Sequence, residues 1–153
     1  MRGPAVLSLP LQFSPPQSAS ASGMNANDAG LRPKNGAHRL STILVVEDEI
    51  LTRMAAADHL RDSGHRVLEA ADAEEARKLL RASEPIELVF SDVNMPGMDG
   101  IMLARWIARE FPDVKVVLTS GDLRNAAGAG ATGHFLEKPY DLETLGRVIR
   151  KLL

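Results

Sequence analysis

Two hydrophobic periods alternate along this chain. Short apolar runs rich in β-branched residues read as buried strands. Each is followed by a stretch in which apolar residues recur every three or four positions, the helical period. Residues 41–46 (Ser-Thr-Ile-Leu-Val-Val) are the first such strand, and it stops in Glu47, Asp48 and Glu49. Residues 50–63 then carry Leu51, Met54, Ala55, Asp58 and Leu60 at helical spacing, and Gly64 supplies the stop. A second strand is predicted over 65–70, after which Asp72 is placed to cap a helix over 73–82 with Ala76, Leu79 and Leu80 as its apolar side. The third strand, 86–91, ends on Asp92 and breaks at once into a Pro- and Gly-containing loop. A third helix is predicted over 98–111, with Ile101, Leu103, Ala104 and Ile107 facing inward and Pro112 ending it.

Residues 114–119 form a fourth strand, followed by Ser120-Gly121-Asp122. Alternation then asks for a helix over 123–133, yet Gly128, Gly130 and Gly133 fall within it. Each interior Gly costs about 0.5–1 kcal/mol relative to Ala, so this helix is expected to be short, frayed or disordered. Residues 133–137 are the fifth strand and Lys138-Pro139 a turn. Asp141 caps a last helix with Leu142, Leu145, Val148, Ile149 and Leu152 as its stripe. Strands and helices in strict alternation predict an α/β fold, a doubly wound parallel sheet of five strands with helices on both faces. Right-handed crossovers bring every strand's C-terminal end to one edge, where open sheets of this kind bind ligands.

Residues 1–40 obey neither period. Pro, Ser, Ala, Gly and Asn dominate, as in Ser14-Pro15-Pro16-Gln17-Ser18, and a disordered tail is expected there, with one folded domain over 41–153. The run Ala5-Val6-Leu7-Ser8-Leu9-Pro10-Leu11 is too short for a signal-peptide core and is broken by Pro10, and Met24 offers a second start site. With 153 residues and no cysteine, the chain suits a single domain and excludes disulfides, zinc–thiolate sites and Cys nucleophiles. His38, His59, His65 and His134 show no metal-ligand spacing. A net charge of −2 without a dense Lys/Arg stripe gives no reason to expect direct nucleic-acid binding. No apolar run approaches the ~18 residues of a spanning helix, so no membrane insertion is expected and a cytoplasmic location is.

The strand ends carry the chemistry. They deliver Glu47 and Asp48, then Asp92, then Thr119 and Ser120, then Lys138. Clustered carboxylates raise one another's pKa unless a cation joins them, and oxygen-only ligands select a hard ion such as Mg²⁺. With a Lys and a hydroxyl opposite, such a cluster suits phosphoryl transfer, and central Asp92 is the natural nucleophile, giving an aspartyl-phosphate. Taken singly, these residues are ordinary: acids at strand ends usually cap turns, and a Lys before Pro is usually on the surface. Their order across five successive units is what makes chance an inadequate account.

From Ile43 to Leu153 the chain resembles the receiver domain of two-component response regulators. The motifs that carry the resemblance are Val45-Val46-Glu47-Asp48-Glu49, the run Asp92-Val93-Asn94-Met95-Pro96-Gly97-Met98-Asp99-Gly100, Leu118-Thr119-Ser120-Gly121, and Phe135-Leu136-Glu137-Lys138-Pro139-Tyr140. The resemblance implies a flavodoxin-like sheet in the order 2-1-3-4-5. It implies that Asp92 accepts a phosphoryl group from the phosphohistidine of a sensor histidine kinase or phosphotransfer protein, so the protein is a signalling element and not an enzyme acting on other substrates. Asp48 and Asp92 would bind Mg²⁺ directly, the backbone carbonyl of Asn94 would join them, and Glu47 would act through water. Ser120 would be the switch hydroxyl, Phe135 the aromatic that follows it inward, and Lys138 the partner of the phosphoryl group, with a cis Lys138-Pro139 bond.

Strand alternation lets only one of Thr119 and Ser120 face the crevice; the resemblance implies a small residue after the switch hydroxyl, which Gly121 supplies if that hydroxyl is Ser120. Glu47 stands where the family more often has Asp, and the glycine-rich 123–133 segment is the larger departure. That segment would leave the output face plastic, so that phosphorylation orders it. With nothing after the last helix, a stand-alone receiver acting on a downstream protein is expected. The alternatives are a pseudo-receiver that scaffolds without phosphorylation, a haloacid-dehalogenase-like phosphatase and a flavodoxin. The phosphatase would need an Asp-x-Asp on its first strand, and here Asn94 stands at the second position on the third. A flavodoxin would need a phosphate loop after its first strand.

Overall fold

A computed structural model describes residues 40–82, 85–122, 124 and 133–153. The tail expected over 1–40 and the weak helix expected over 123–133 lie outside the described residues, apart from Leu40, Arg124 and Gly133. In chain order the elements are β1 (Thr42–Val46), α1 (Ile50–Asp62), β2 (Arg66–Ala70), α2 (Ala73–Arg81), β3 (Leu88–Asp92), α3 (Gly100–Glu110), β4 (Lys115–Ser120), β5 (His134–Glu137) and a last helix, α4 (Leu142–Leu152). Every strand pair is parallel and the sheet order is β2-β1-β3-β4-β5. This is the doubly wound, flavodoxin-like arrangement that the resemblance implies.

The strands alternate because both faces of the sheet are covered. On one face Leu44, Val46, Val89 and Leu118 pack with Ala76 and Leu80 of α2 and Leu103 and Ile107 of α3. On the other, Ile43, Val45, Phe90 and Val117 pack with Ala57 and Leu60 of α1 and Leu145 and Ile149 of α4. Residues with neighbours above and below read as unbroken apolar runs, which is why β1, β3 and β4 are conspicuous in the sequence. Asp72, Asp99 and Asp141 cap α2, α3 and α4, accepting hydrogen bonds from Glu75 N (2.8 Å), Met102 N (2.7 Å) and Thr144 N (2.6 Å).

The predicted apolar face of α1 needs correction. Leu51, Met54 and Ala55 are exposed, and the helix packs through Ala56, Ala57 and Leu60. Its first turns are apolar nearly all round, so periodicity defines no single stripe, and the sheet takes the side whose small residues allow close approach. Leu142, placed in the stripe of α4, likewise stands at an exposed rim. Trp106, absent from the expected face of α3, is buried.

Candidate functional site

The C-terminal edge of the sheet brings the strand-end residues together. Glu47 directly follows β1 and Asp92 ends β3; both are 5% exposed, while Asp48 is open to solvent. One carboxylate oxygen from each of Glu47, Asp48 and Asp92 lies within 4.8 Å of the other two. Lys138, just beyond β5, crosses to this cluster, with Nζ 3.1 Å from Asp92 Oδ1 and 3.3 Å from Glu47 Oε2. Its backbone is anchored by Lys138 N donating to Ser120 O (3.0 Å), and the Lys138-Pro139 peptide is cis.

The electrostatics follow from this crowding. Burial pushes the Glu47 carboxyl above its usual 4.5; Lys138 opposes the rise and the Asp92 charge adds to it. Burial by itself would lower the Lys138 ammonium, but Asp92 and then Glu47 outweigh it, and the group is held above 10.5. Beside the ion pair, buried Asp92 Oδ1 receives no hydrogen bond from the described residues. Three carboxylates facing one ammonium leave an excess of negative charge, and all the donors are oxygen. That donor set fits a hard divalent ion such as Mg²⁺.

β4 and the loop after β3 supply the rest. Thr119 and Ser120 are both fully buried, but their hydroxyls differ. Ser120 Oγ accepts hydrogen bonds from Asn94 Nδ2 (3.2 Å) and from Asp122 N (3.1 Å), whereas Thr119 Oγ1 has no partner among the described residues. Phe135, one residue into β5, is half-buried against the α2/α3 side of the core. The loop is pinned by Val93 N donating to Thr119 O (2.9 Å) and Gly100 N donating to Val93 O (3.0 Å).

Sequence reasoning overlooked several neighbours. Arg53 of α1 donates from Nη1 to Glu47 O (2.6 Å), holding the end of β1. Tyr140 meets Phe90 edge-on at 5.9 Å. A cleft of about 650 Å³ beside Lys138 is lined by Leu51, Thr52, Ala55, Pro139, Tyr140 and Leu142. The exposed start of α1 was the only signal for this surface, and its apolar residues looked like core.

Comparison with known proteins agrees with this geometry. The family model described as the response regulator receiver domain matches residues 43–150. A probable chemotaxis protein CheY of Rhizobium etli is 34% identical over 116 residues, covering 70% of this chain and 88% of that protein. The sensor kinase CckA of Brucella abortus is 36% identical over 118 residues, 74% of this chain but 12% of the kinase. The transcriptional regulatory protein PdtaR of Mycobacterium tuberculosis is 40% identical over 67% of this chain and 52% of its own length. This chain thus spans about half of PdtaR and a small part of CckA. Among solved structures, CheY4 of Vibrio cholerae superposes with a TM-score of 0.69 at 26% identity, over 75% of this chain and all of that one. The response regulator TrrA of Thermotoga maritima, in complex with Mg²⁺-BeF, gives 0.67 at 30% identity, over 74% of this chain and 99% of that one. Parallel topology, strand-end cluster and family match point the same way, and the chain belongs to the response regulator receiver domain family.

Proposed function

We propose that this receiver domain takes a phosphoryl group onto Asp92 from a phosphohistidine of a sensor kinase or phosphotransfer protein, and signals the change to a downstream protein. The observation that carries the reading is the strand-end cluster itself: buried Glu47 and Asp92 with exposed Asp48, the Lys138 ammonium 3.1 Å from Asp92 Oδ1, and a hydrogen-bonded Ser120 hydroxyl at the end of β4. Asp48 and Asp92, with the Asn94 backbone carbonyl, would hold Mg²⁺, and Glu47 would act through water. The ion would offset the charge of the carboxylates and of the incoming phosphoryl oxygens. The bound Mg²⁺ in the TrrA complex supports the assignment.

In the reaction the Asp92 carboxylate attacks phosphorus. The P–N bond of the donor breaks as the P–O bond forms, and the leaving imidazole keeps the electron pair and takes up a proton. Lys138 exchanges its carboxylate partner for a phosphoryl oxygen without leaving the crevice. Ser120, released from Asn94, turns its hydroxyl toward the same group, and Phe135 fills the space behind it. The donor approaches over the start of α1, where Leu51 is 71% exposed beside Tyr140 and Pro139, an apolar platform at the lip of the site. Phosphohistidine donors of this kind are made in the cytoplasm, which is where the protein acts.

Incubation with Mg²⁺ and a small phosphodonor, followed by intact mass, tests the reading. The wild type should carry one phosphoryl group and Asp92→Asn none. An unmodified wild type would move the assignment to a phosphorylation-independent scaffold, and turnover of many donor equivalents would move it to a phosphatase.

A further inference from the structure

Away from Asp92, the α2/α3 face collects arginines that lie far apart in the sequence. Arg77 and Arg81 stand one turn apart on α2, and Arg105 and Arg109 one turn apart on α3. Between the two rows lies Trp106, with the Arg77 and Arg81 guanidinium carbons 4.8 Å and 5.2 Å from its ring centroid. A cleft of about 380 Å³ opens there, lined by Arg77, Arg105, Arg109, Met98, Met102 and Trp106.

The charge of this face is poorly compensated. Glu74 is paired with Arg77 (2.8 Å), and Glu75 is turned to the N-terminal end of α2, where it accepts from Ala71 N. Among the described residues no ion pair reaches Arg81, Arg105 or Arg109. Arg77 Nε is buried without a hydrogen-bond partner among the described residues. The floor is apolar and open, with Met102 53% exposed. Stability alone does not require this combination: exposed Met gains nothing from water, and guanidinium groups side by side repel.

We propose that this cleft docks an acidic amphipathic helix of a protein partner. Methionine and an aromatic at the base of a groove adapt to the apolar anchors of a helix, the usual arrangement for helix-in-groove recognition. The flanking rows answer rows of Glu or Asp on that helix, because charges one turn apart match across two packed helices at ~5–6 Å spacing. A nucleic-acid backbone fits less well: each basic row is a single turn long, the floor is apolar, and the chain's net charge of −2 draws no polyanion from a distance. The proposal is independent of phosphotransfer and concerns the opposite side of the sheet from α1.

Trp106 is the chain's one tryptophan, so its fluorescence reports the cleft directly in the full-length protein. The probes are a helical peptide with glutamate rows flanking a leucine stripe, the same peptide with lysine for glutamate, a short duplex DNA, and phosphatidylglycerol vesicles. The acidic peptide should shift Trp106 emission saturably, and the exposed double variant Arg105→Glu/Arg109→Glu should weaken it about tenfold or more, with unchanged circular dichroism. Lack of a saturable shift, equal binding of both peptides, an unaffected double variant, or preferential binding of DNA or vesicles would each overturn the proposal.

Discussion

Replacing Gly100 with alanine sets two physical arguments against each other. Gly100 is the first residue of α3, and helix propensity alone says that alanine should stabilise it by up to ~1 kcal/mol. Space says the opposite. A Cβ at this position would lie 2.1 Å from Asp92 O and 2.9 Å from Val93 Cα, both backbone atoms that cannot rotate aside. Relief to an acceptable 3.0 Å requires α3 to part from the end of β3 by about 0.9 Å. The Gly100 N to Val93 O bond and the buried contacts of Leu103, Ala104 and Ile107 resist that movement. Overpacking of this kind costs about 1–3 kcal/mol and sometimes more, so sterics outweigh propensity by about 2 kcal/mol near the upper end of that range. At an unfolding entropy of about 2.1 cal/mol/K per residue, that lowers the Tm of a folded part of about 110 residues by roughly 8 °C. Because the obstructing atom is the Asp92 carbonyl oxygen, phosphoryl acceptance should fall too; misplacement of a reacting group by ~1 Å can cost ~100-fold in rate. Urea unfolding followed through Trp106, with adduct formation timed by intact mass, measures both. An alanine variant as stable as the wild type, or more so, would refute the steric argument.

Mg²⁺ should raise Tm more at pH 8 than near pH 4, and a chelator should reverse the gain. Glu47 is raised above 4.5 chiefly by burial, so the folded state binds more protons than the unfolded one and stability falls as pH rises through that window. The ion replaces the proton and restores ~2.7 kcal/mol at a hundredfold excess over its Kd; an equal effect at both pH values would contradict this. Lys138, held above 10.5, contributes stability that is complete below its unfolded value and is lost as pH climbs through the higher folded value. An alkaline unfolding limb that Lys138→Met leaves unchanged would count against the ion pairs. Thr119→Val should stabilise by about 1 kcal/mol, since it removes a buried hydroxyl that has no partner among the described residues, whereas Ser120→Ala removes the acceptor of the exposed Asn94 amide and of Asp122 N–H, with water free to replace it at Asn94, and should cost about 0.5–1.5 kcal/mol. Urea midpoints that move alike would show the two hydroxyls to be equivalent. Asp72→Ala should cost ~1 kcal/mol by removing the cap of α2, read as a lower midpoint with an unchanged slope.

Much of this protein is legible without coordinates. Strands covered on both faces must be apolar at nearly every position, so β1, β3 and β4 announce themselves, and alternation with helices then forces a parallel sheet with its strand ends on one edge. The residues that end those strands, Glu47, Asp92, Ser120 and Lys138, follow directly, because chain position and strand direction suffice to collect them. Side-chain orientation across elements does not follow in the same way. The start of α1 is apolar nearly all round, and only the packing of Ala56 and Ala57 against the sheet decides that Leu51 and Met54 face outward. Thr119 and Ser120 differ by one position, and it is the Asn94 amide, delivered by the loop after β3, that distinguishes their hydroxyls. The arginines around Trp106 come as one pair on α2 and one pair on α3, and no stripe of charge marks them along the chain. Local period and element order are properties of neighbours in sequence, so the chain determined strands, topology and the members of the Asp92 cluster. Which side of a helix meets the sheet, and which distant charges share a cleft, depend on contacts between segments remote in sequence, and those were decided only by the tertiary structure.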